Sequence, residues 1–498
     1  MDFHGSPLKD LTRDQQNINI VHIAKMKVMK MSVPNTSAAR RLAENLLPIV
    51  HVAGEDRRLR MEQRLIDYGC AGVSVAVIEG GEIAWAAGYG SIEHDGNPVD
   101  DQTMFSGASI SKPVTATIAM QLVERGVFDL DIDVNRYIQG WRVPENEFTA
   151  QAPVTLRWLL SHKAGTTVHG FDGAPADAPM PSLQDILEGR PPALNAPVRV
   201  DKVPGGGNRY SGGGTTIVEL MIEEATGKRY EDVAREMIFE PLGMSRSTFT
   251  QPLPPELRAN AAEGMKMDGS VTPRDFVMWQ RGAGGLWTTP SDYARFMIAI
   301  RDAVLGEPNP LLGPGFARMM MKRQGGGEFG LGWYLANEGA ERYFHHSGSN
   351  GGFQCNALCY EQAGKGAVVM TNAESGLSFY WEILNGLAAI HDWPGFLQPK
   401  RRIVPIDPAD FGRHVGSFGI VSGVEFPMVE LFVENGGLRS RIPGMIGGEQ
   451  DVLRDERGCF FNRSSPFETW PEYDADGLLV ELVVRNPGGM EIMRARRQ

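Results

Sequence analysis

Cysteine is scarce in this chain, basic residues are outnumbered by acidic ones, and no long apolar run is present. Each shortage excludes something. Cys70, Cys355, Cys359 and Cys459 are too few and too scattered across 498 residues for a disulfide framework. Cys355 and Cys359 stand close enough to share one side of an extended segment, but no further ligand-type residues gather around them, so buried, inert thiols and no metal are expected. No window approaches the roughly 18 apolar residues of a membrane-spanning helix. Near the N-terminus Lys25, Lys27 and Lys30 interrupt the only apolar stretch before a signal core could form, so the expected location is cytoplasmic, away from membranes. With 49 basic against 61 acidic residues the net charge is −12, which disfavours nucleic acid and anionic lipid as partners. Internal repeats and low-complexity tracts are also lacking.

What is present is an ordinary globular composition, 42% hydrophobic and 22% charged, long enough for two or three domains. Residues 1–36 are polar and patternless and read as a poorly ordered extension. A helical pattern over 37–67, which Pro48 is placed to divide, leads into VSVAVIEGGEIAWAAGYG, two strands around the Gly80-Gly81 turn. Helical periodicity follows over 114–125, 216–226 and 293–304, stopped by Gly126, Gly227 and Gly306. Strand patterns return over 366–371. Strands, then helices, then strands indicate an α+β domain over 37–392 with a mostly antiparallel sheet. A proline-bearing linker is expected over 393–405, and a small C-terminal β-barrel or sandwich domain over 406–498, where Asn435-Gly436 and Asp476-Gly477 mark hairpin turns.

A serine hydroxyl is a poor nucleophile at neutral pH and needs a base beside it and donors aimed at the developing oxyanion. Ser-x-x-Lys supplies the first requirement, because residues three apart are neighbours on a helix. Ser109 and Lys112 in GASISKPVTA have this spacing, and so do Ser6 and Lys9. About one such pair is expected by chance in a chain of this size. Ser6 lies in the patternless extension, whereas Ser109 opens a helix-patterned segment whose Pro113 suits a first turn.

Further segments follow in order: TLRWLLSHKAG at 155–165, RYSGGGTTIVELMIEEATGKRYEDVAREMIFEPLGM at 209–244, GAGGLWTTPSDYARF at 282–296 and HHSGSNGGF at 345–353. Together with Ser109-Ile-Ser-Lys112 they resemble the class C β-lactamase, D-aminopeptidase and esterase branch of the penicillin-recognising serine hydrolases, over roughly residues 60–390. The resemblance implies a β-lactamase/transpeptidase-like fold, an antiparallel sheet flanked by helices plus a helical subdomain, with Ser109 as the acylated nucleophile and Lys112 as the lysine that lowers its proton affinity. Tyr210 matches the tyrosine of the family's Tyr-x-Asn element, a general base toward serine or water and a general acid toward the leaving group. His346-Ser347-Gly348 matches the third element, and the backbone N–H groups of Ser109 and Ser349 would form the oxyanion hole. No metal or organic cofactor is implied. His162 is read as structural.

Two departures bear on substrate. Gly212 stands where the family has asparagine, an amide that holds the substrate's acyl amide, and Asn208 is the nearest candidate substitute. His346 replaces a lysine and weakens a fixed positive charge, since imidazole is mostly neutral at pH 7. Gly212, His346, Ser347 and Gly348 are therefore the expected substrate-binding positions. The leading expectation is an acyl hydrolase acting on a small-molecule ester, amide or short peptide; a homo-oligomer is compatible with it. A β-lactamase or D,D-peptidase and a non-catalytic assembly or sensing scaffold are the alternatives.

Overall fold

The computed structural model describes residues 36–94, 96–422, 428–443, 449–485 and 491–498. Apart from Thr36, the extension expected over 1–36 lies outside the described residues, and the pair Ser6 and Lys9 with it. No helix among the described residues is long and apolar enough to cross a membrane.

Strands Gly72–Glu79 and Glu82–Gly90 form the hairpin legible in the sequence, with Gly80 and Gly81 at φ of 62° and 81°, values only glycine adopts without penalty. They continue through Gly366–Thr371, Phe353–Tyr360, Tyr343–Asn350 and Tyr334–Ala336 into one six-stranded antiparallel sheet. Side chains alternate across it with a period of two. Val73, Val75, Val77 and Val369 meet Leu42, Leu65, Phe379 and Ile383 of the terminal helices on one face. Ala76, Ile78, Val368 and Met370 meet Phe296, Met297 and Ile300 of helix Pro290–Leu305 on the other. Because both faces are covered, these strands read as nearly continuous apolar runs.

The three central helices run Ser111–Glu124, Gly212–Thr226 and Pro290–Leu305, each starting earlier than its apolar period. Caps explain the extension at two of them. The Ser211 side chain accepts from the Gly214 N–H, and Thr289 accepts from Asp292. The pattern over 37–67 resolves into Ser37–Glu44 and Met61–Asp67, with the intervening chain tied by a bridge between Leu46 and Leu59.

Among the described residues beyond 415, nine strands form a second antiparallel sheet that is nearly closed: its two outermost strands, Gln450–Asp451 and Leu453–Arg454, are separated only by Val452. Phe418, Leu431, Leu438, Phe460 and Leu482 fill it. Asn435 and Gly436 turn its second hairpin at φ of 51° and 76°. The proline-bearing stretch leading into it is pinned on both sides. Arg401 bridges Val52 and pairs with Glu468 at 3.0 Å, and Ile403 bridges Asp455.

Candidate active site

Ser109 occupies a turn between strand Phe105–Ala108 and helix Ser111–Glu124. Regular helix begins two residues after it, yet the Lys112 N–H reaches the Ser109 carbonyl at 3.0 Å, so the turn keeps the Ser-x-x-Lys pair on one side. The preceding Ala108 has φ of 46°, a left-handed conformation that is unfavourable for a residue with a Cβ and must be held by its surroundings. Ser111 does this, donating to the Ala108 carbonyl at 2.6 Å and accepting from the Leu286 N–H at 3.0 Å.

Lys112 is only 5% exposed. Its Nζ lies 2.9 Å from Ser109 Oγ and donates to the Ala283 carbonyl at 2.7 Å. Burial penalises the ammonium and brings the lysine down to about 7, where an appreciable neutral fraction exists at physiological pH. The Tyr210 side chain lines the same cavity as Ser109, and Lys112 Nζ stands 4.9 Å from the centre of its ring. Burial raises the phenol, which therefore keeps its proton at neutral pH.

The turn that presents the Ala283 carbonyl is anchored through the preceding residue. The neighbouring Gly282 N–H donates to Glu219 at 2.9 Å, and the Gly282 carbonyl accepts from Thr115 at 2.8 Å. Thr115 lies one turn beyond Lys112, and Glu219 lies on the helix that follows Tyr210, so one short turn ties both helices together. Glu219 is fully buried, and burial lifts its carboxyl to about 8.

The opposite wall is strand Tyr343–Asn350. Gly348 permits its close approach: a Cβ there would stand 2.3 Å from the Gly107 carbonyl oxygen and 2.6 Å from Cys355 Sγ. His346, Ser347, Ser349 and Asn350 then line a cavity of about 350 Å³ together with Ser109, Lys112 and Tyr210. Asn350 Nδ2 donates to Ser106 Oγ at 2.8 Å. His346 is 1% exposed, and its Nδ1 lies 2.7 Å from the Ser347 carbonyl, which assigns that nitrogen the hydrogen. Among the described residues, Nε2 is left as a buried acceptor with no partner. Burial, reinforced by Lys112, pushes the imidazole down to about 3, so His346 is neutral across the physiological range.

His162 accepts from the Ser211 N–H at 3.3 Å and its ring lies 4.3 Å from that of Tyr210. It props the tyrosine and is held neutral by burial. Gly212 is not brought to the cavity wall. Its N–H donates to the His169 carbonyl at 2.9 Å, and a Cβ on it would meet Phe171 Cε2 at 3.0 Å. Asn208 does not substitute for it, being exposed and turned toward Gly327. His169, Phe171, Met278, Tyr334 and Asn350 complete the cavity and were not singled out by sequence. Asn350 and Ala283 do fall inside the quoted motifs, but nothing in the motifs marks their contacts. All four cysteines are buried and unpaired, and among the described residues no group of three or more His, Cys, Asp or Glu could hold a metal ion.

This antiparallel sheet, with a serine, a buried lysine and a tyrosine converging at its edge, defines a serine hydrolase of the β-lactamase-like superfamily. The Beta-lactamase family profile matches residues 58–383, and the chain belongs to that family. It is 26% identical over 396 residues to penicillin-binding protein 4* of Bacillus subtilis (strain 168), covering 75% of this chain and 84% of that one. It is 28% identical over 206 residues to the esterase EstB of Burkholderia gladioli, covering 40% and 50% of the two chains. The octameric penicillin-binding protein homologue from Pyrococcus abyssi has the same fold, with a TM-score of 0.59 at 20% identity over 87% of this chain and 98% of that one.

Proposed function

We propose that the chain hydrolyses small esters, or amides and short peptides, in the cytoplasm through an acyl-enzyme on Ser109, with residues 406–498 as a separate β domain. The observation that carries this reading is Lys112 Nζ at 2.9 Å from Ser109 Oγ, with Tyr210 on the wall of the same cavity. A neutral lysine has two N–H donors and one lone pair. With one N–H on the Ala283 carbonyl, the lone pair is free to take the serine proton as Oγ attacks the substrate carbonyl. Charge on the carbonyl oxygen is met by the N–H groups of Ser109 and Ser349. Tyr210 gives its proton to the departing alkoxide or amine and recovers one from Lys112. Water then attacks the ester on Ser109 by the reverse relay, releasing the acid and restoring the serine. Since the phenol is protonated at rest, the base role falls to Lys112, and Tyr210 serves as donor and relay.

The neutral His346 offers no charge for a substrate carboxylate and disfavours the β-lactamase and D,D-peptidase reading, as both substrate classes carry one. Its unpaired Nε2 accepts instead from a hydroxyl or N–H. His346→Lys is expected to lower KM for an ester carrying a free carboxylate by about tenfold relative to its methyl ester, the effect of one new charge-assisted hydrogen bond. Matched kinetics of the two esters check it. The function is tested by assaying p-nitrophenyl esters, D- and L-aminoacyl anilides and a chromogenic cephalosporin in parallel. Turnover of esters above the cephalosporin supports the reading, and turnover of the cephalosporin alone contradicts it.

A further inference from the structure

The space beside Gly212 is filled. Phe171 Cε2 and Cδ2 stand 3.0 and 3.3 Å from where a Cβ at position 212 would be, and the His169 carbonyl oxygen stands at 3.2 Å. The segment that carries Phe171 is fastened at both ends. At one end the Gly212 and Gly213 N–H groups donate to the His169 and Val168 carbonyls at 2.9 and 3.0 Å, and Ser211 Oγ donates to Thr167 at 2.6 Å. At the other, Ala174 and Val277 exchange both backbone hydrogen bonds. Val168 is held at φ of 62°, a conformation rare for a β-branched residue, which keeps this segment folded toward the cavity. Phe171 is half-buried, packs against two apolar clusters, and lines the cavity beside Tyr210 and Met278.

We infer that Phe171 is a specificity-determining residue: its ring occupies the room of a side chain at position 212 and turns that wall into hydrocarbon, so the site selects plain alkyl or aryl acyl groups over acylamino, peptide-like ones. The inference rests on the acyl-hydrolase reading above. An acylamino group brings one N–H and one carbonyl next to the reacting centre. Against the Phe171 ring neither finds a partner, because the phenyl carbons that fill this wall carry no hydrogen-bonding group. An alkyl or aryl chain loses nothing there and gains contact with the ring.

The test compares p-nitrophenyl phenylacetate with the p-nitrophenyl ester of N-acetylglycine, which share a leaving group, each kcat/KM being divided by the ester's spontaneous hydrolysis rate. The wild-type protein is expected to prefer phenylacetate by about tenfold or more. Gly212→Asn alone leaves the preference in place, because Phe171 still fills the site. Gly212→Asn with Phe171→Ala shifts it toward the acylamino ester by about tenfold beyond the product of the single effects. Should the double variant fail to fold, Phe171→Gln, which puts an amide where the ring stands, narrows the preference by about threefold or more by itself. An absent or reversed wild-type preference overturns the inference, as does Gly212→Asn alone matching the double variant, or Phe171→Gln changing nothing. If neither ester is turned over and no phosphonate adduct forms on Ser109, the hydrolase reading itself fails, an outcome distinct from turnover without preference.

Discussion

Ser109→Ala is expected to lose on the order of 10⁴-fold or more in kcat/KM on every substrate, because it removes the atom proposed to become acylated and no auxiliary group can stand in for it. Stability should hardly change. The Ser109 side chain accepts from Lys112, while the strained turn beneath it is held by Ser111. Ser6→Ala, with the same three-residue spacing to a lysine, should leave the rate untouched. Steady-state kinetics with a thermal melt on each variant check both halves of the expectation. A Ser109→Ala variant with near wild-type turnover would require a different nucleophile.

The next largest effects belong to Lys112 and Tyr210. Each of Lys112→Ala and Tyr210→Phe should cost about a hundredfold or more in kcat, the usual range for a positioned acid–base group. Their effects should not multiply, because one relay fails whichever member is missing. The pH dependence separates the roles. Lys112 acts as base only when neutral, and burial sets it at about 7, so wild-type kcat/KM should fall as pH drops through that value. Tyr210→Phe removes the donor but leaves the lysine, and it should keep an acid limb at lower overall rate. In Lys112→Ala the limb should vanish. The same limb persisting without the lysine would assign it to another group. Lys112→Arg should be as slow as Lys112→Ala, since a guanidinium does not deprotonate in this range.

The features legible in the sequence were those carried by residue type at short range. Gly80-Gly81 and Asn435-Gly436 announced hairpins, because tight turns need positive φ, and Gly227 and Gly306 announced helix ends for the same reason. The Ser109, Lys112, Tyr210 and His346 segments could be recognised by their order. Contacts made by backbone or by space could not be recognised in this way. The carbonyl that orients Lys112 belongs to Ala283, 171 residues away, and a carbonyl has no signature in sequence. The apolar period predicts a start at residue 216 for helix Gly212–Thr226, because three glycines open it and glycine is a poor helix former. They are there because the turn at 166–169 presses on them: a Cβ at Gly213 would stand 2.8 Å from the Thr167 carbonyl, and one at Gly214 2.9 Å from Thr166 Oγ1. The surroundings of Gly212 are illegible for a related reason. A glycine in sequence signals a missing side chain and says nothing about what fills the gap, which here is Phe171, supplied by a distant loop.

The central claim is that Ser109 is acylated with help from Lys112. Its most direct measurement is intact-mass and peptide-mapping analysis after exposure to an acyl phosphonate, on the wild-type protein and on Ser109→Ala and Lys112→Ala. The account predicts a single adduct on the peptide bearing Ser109, none on Ser109→Ala, and labelling of Lys112→Ala slowed by about a hundredfold. An adduct on any other serine, or equal labelling of Ser109→Ala, would contradict it.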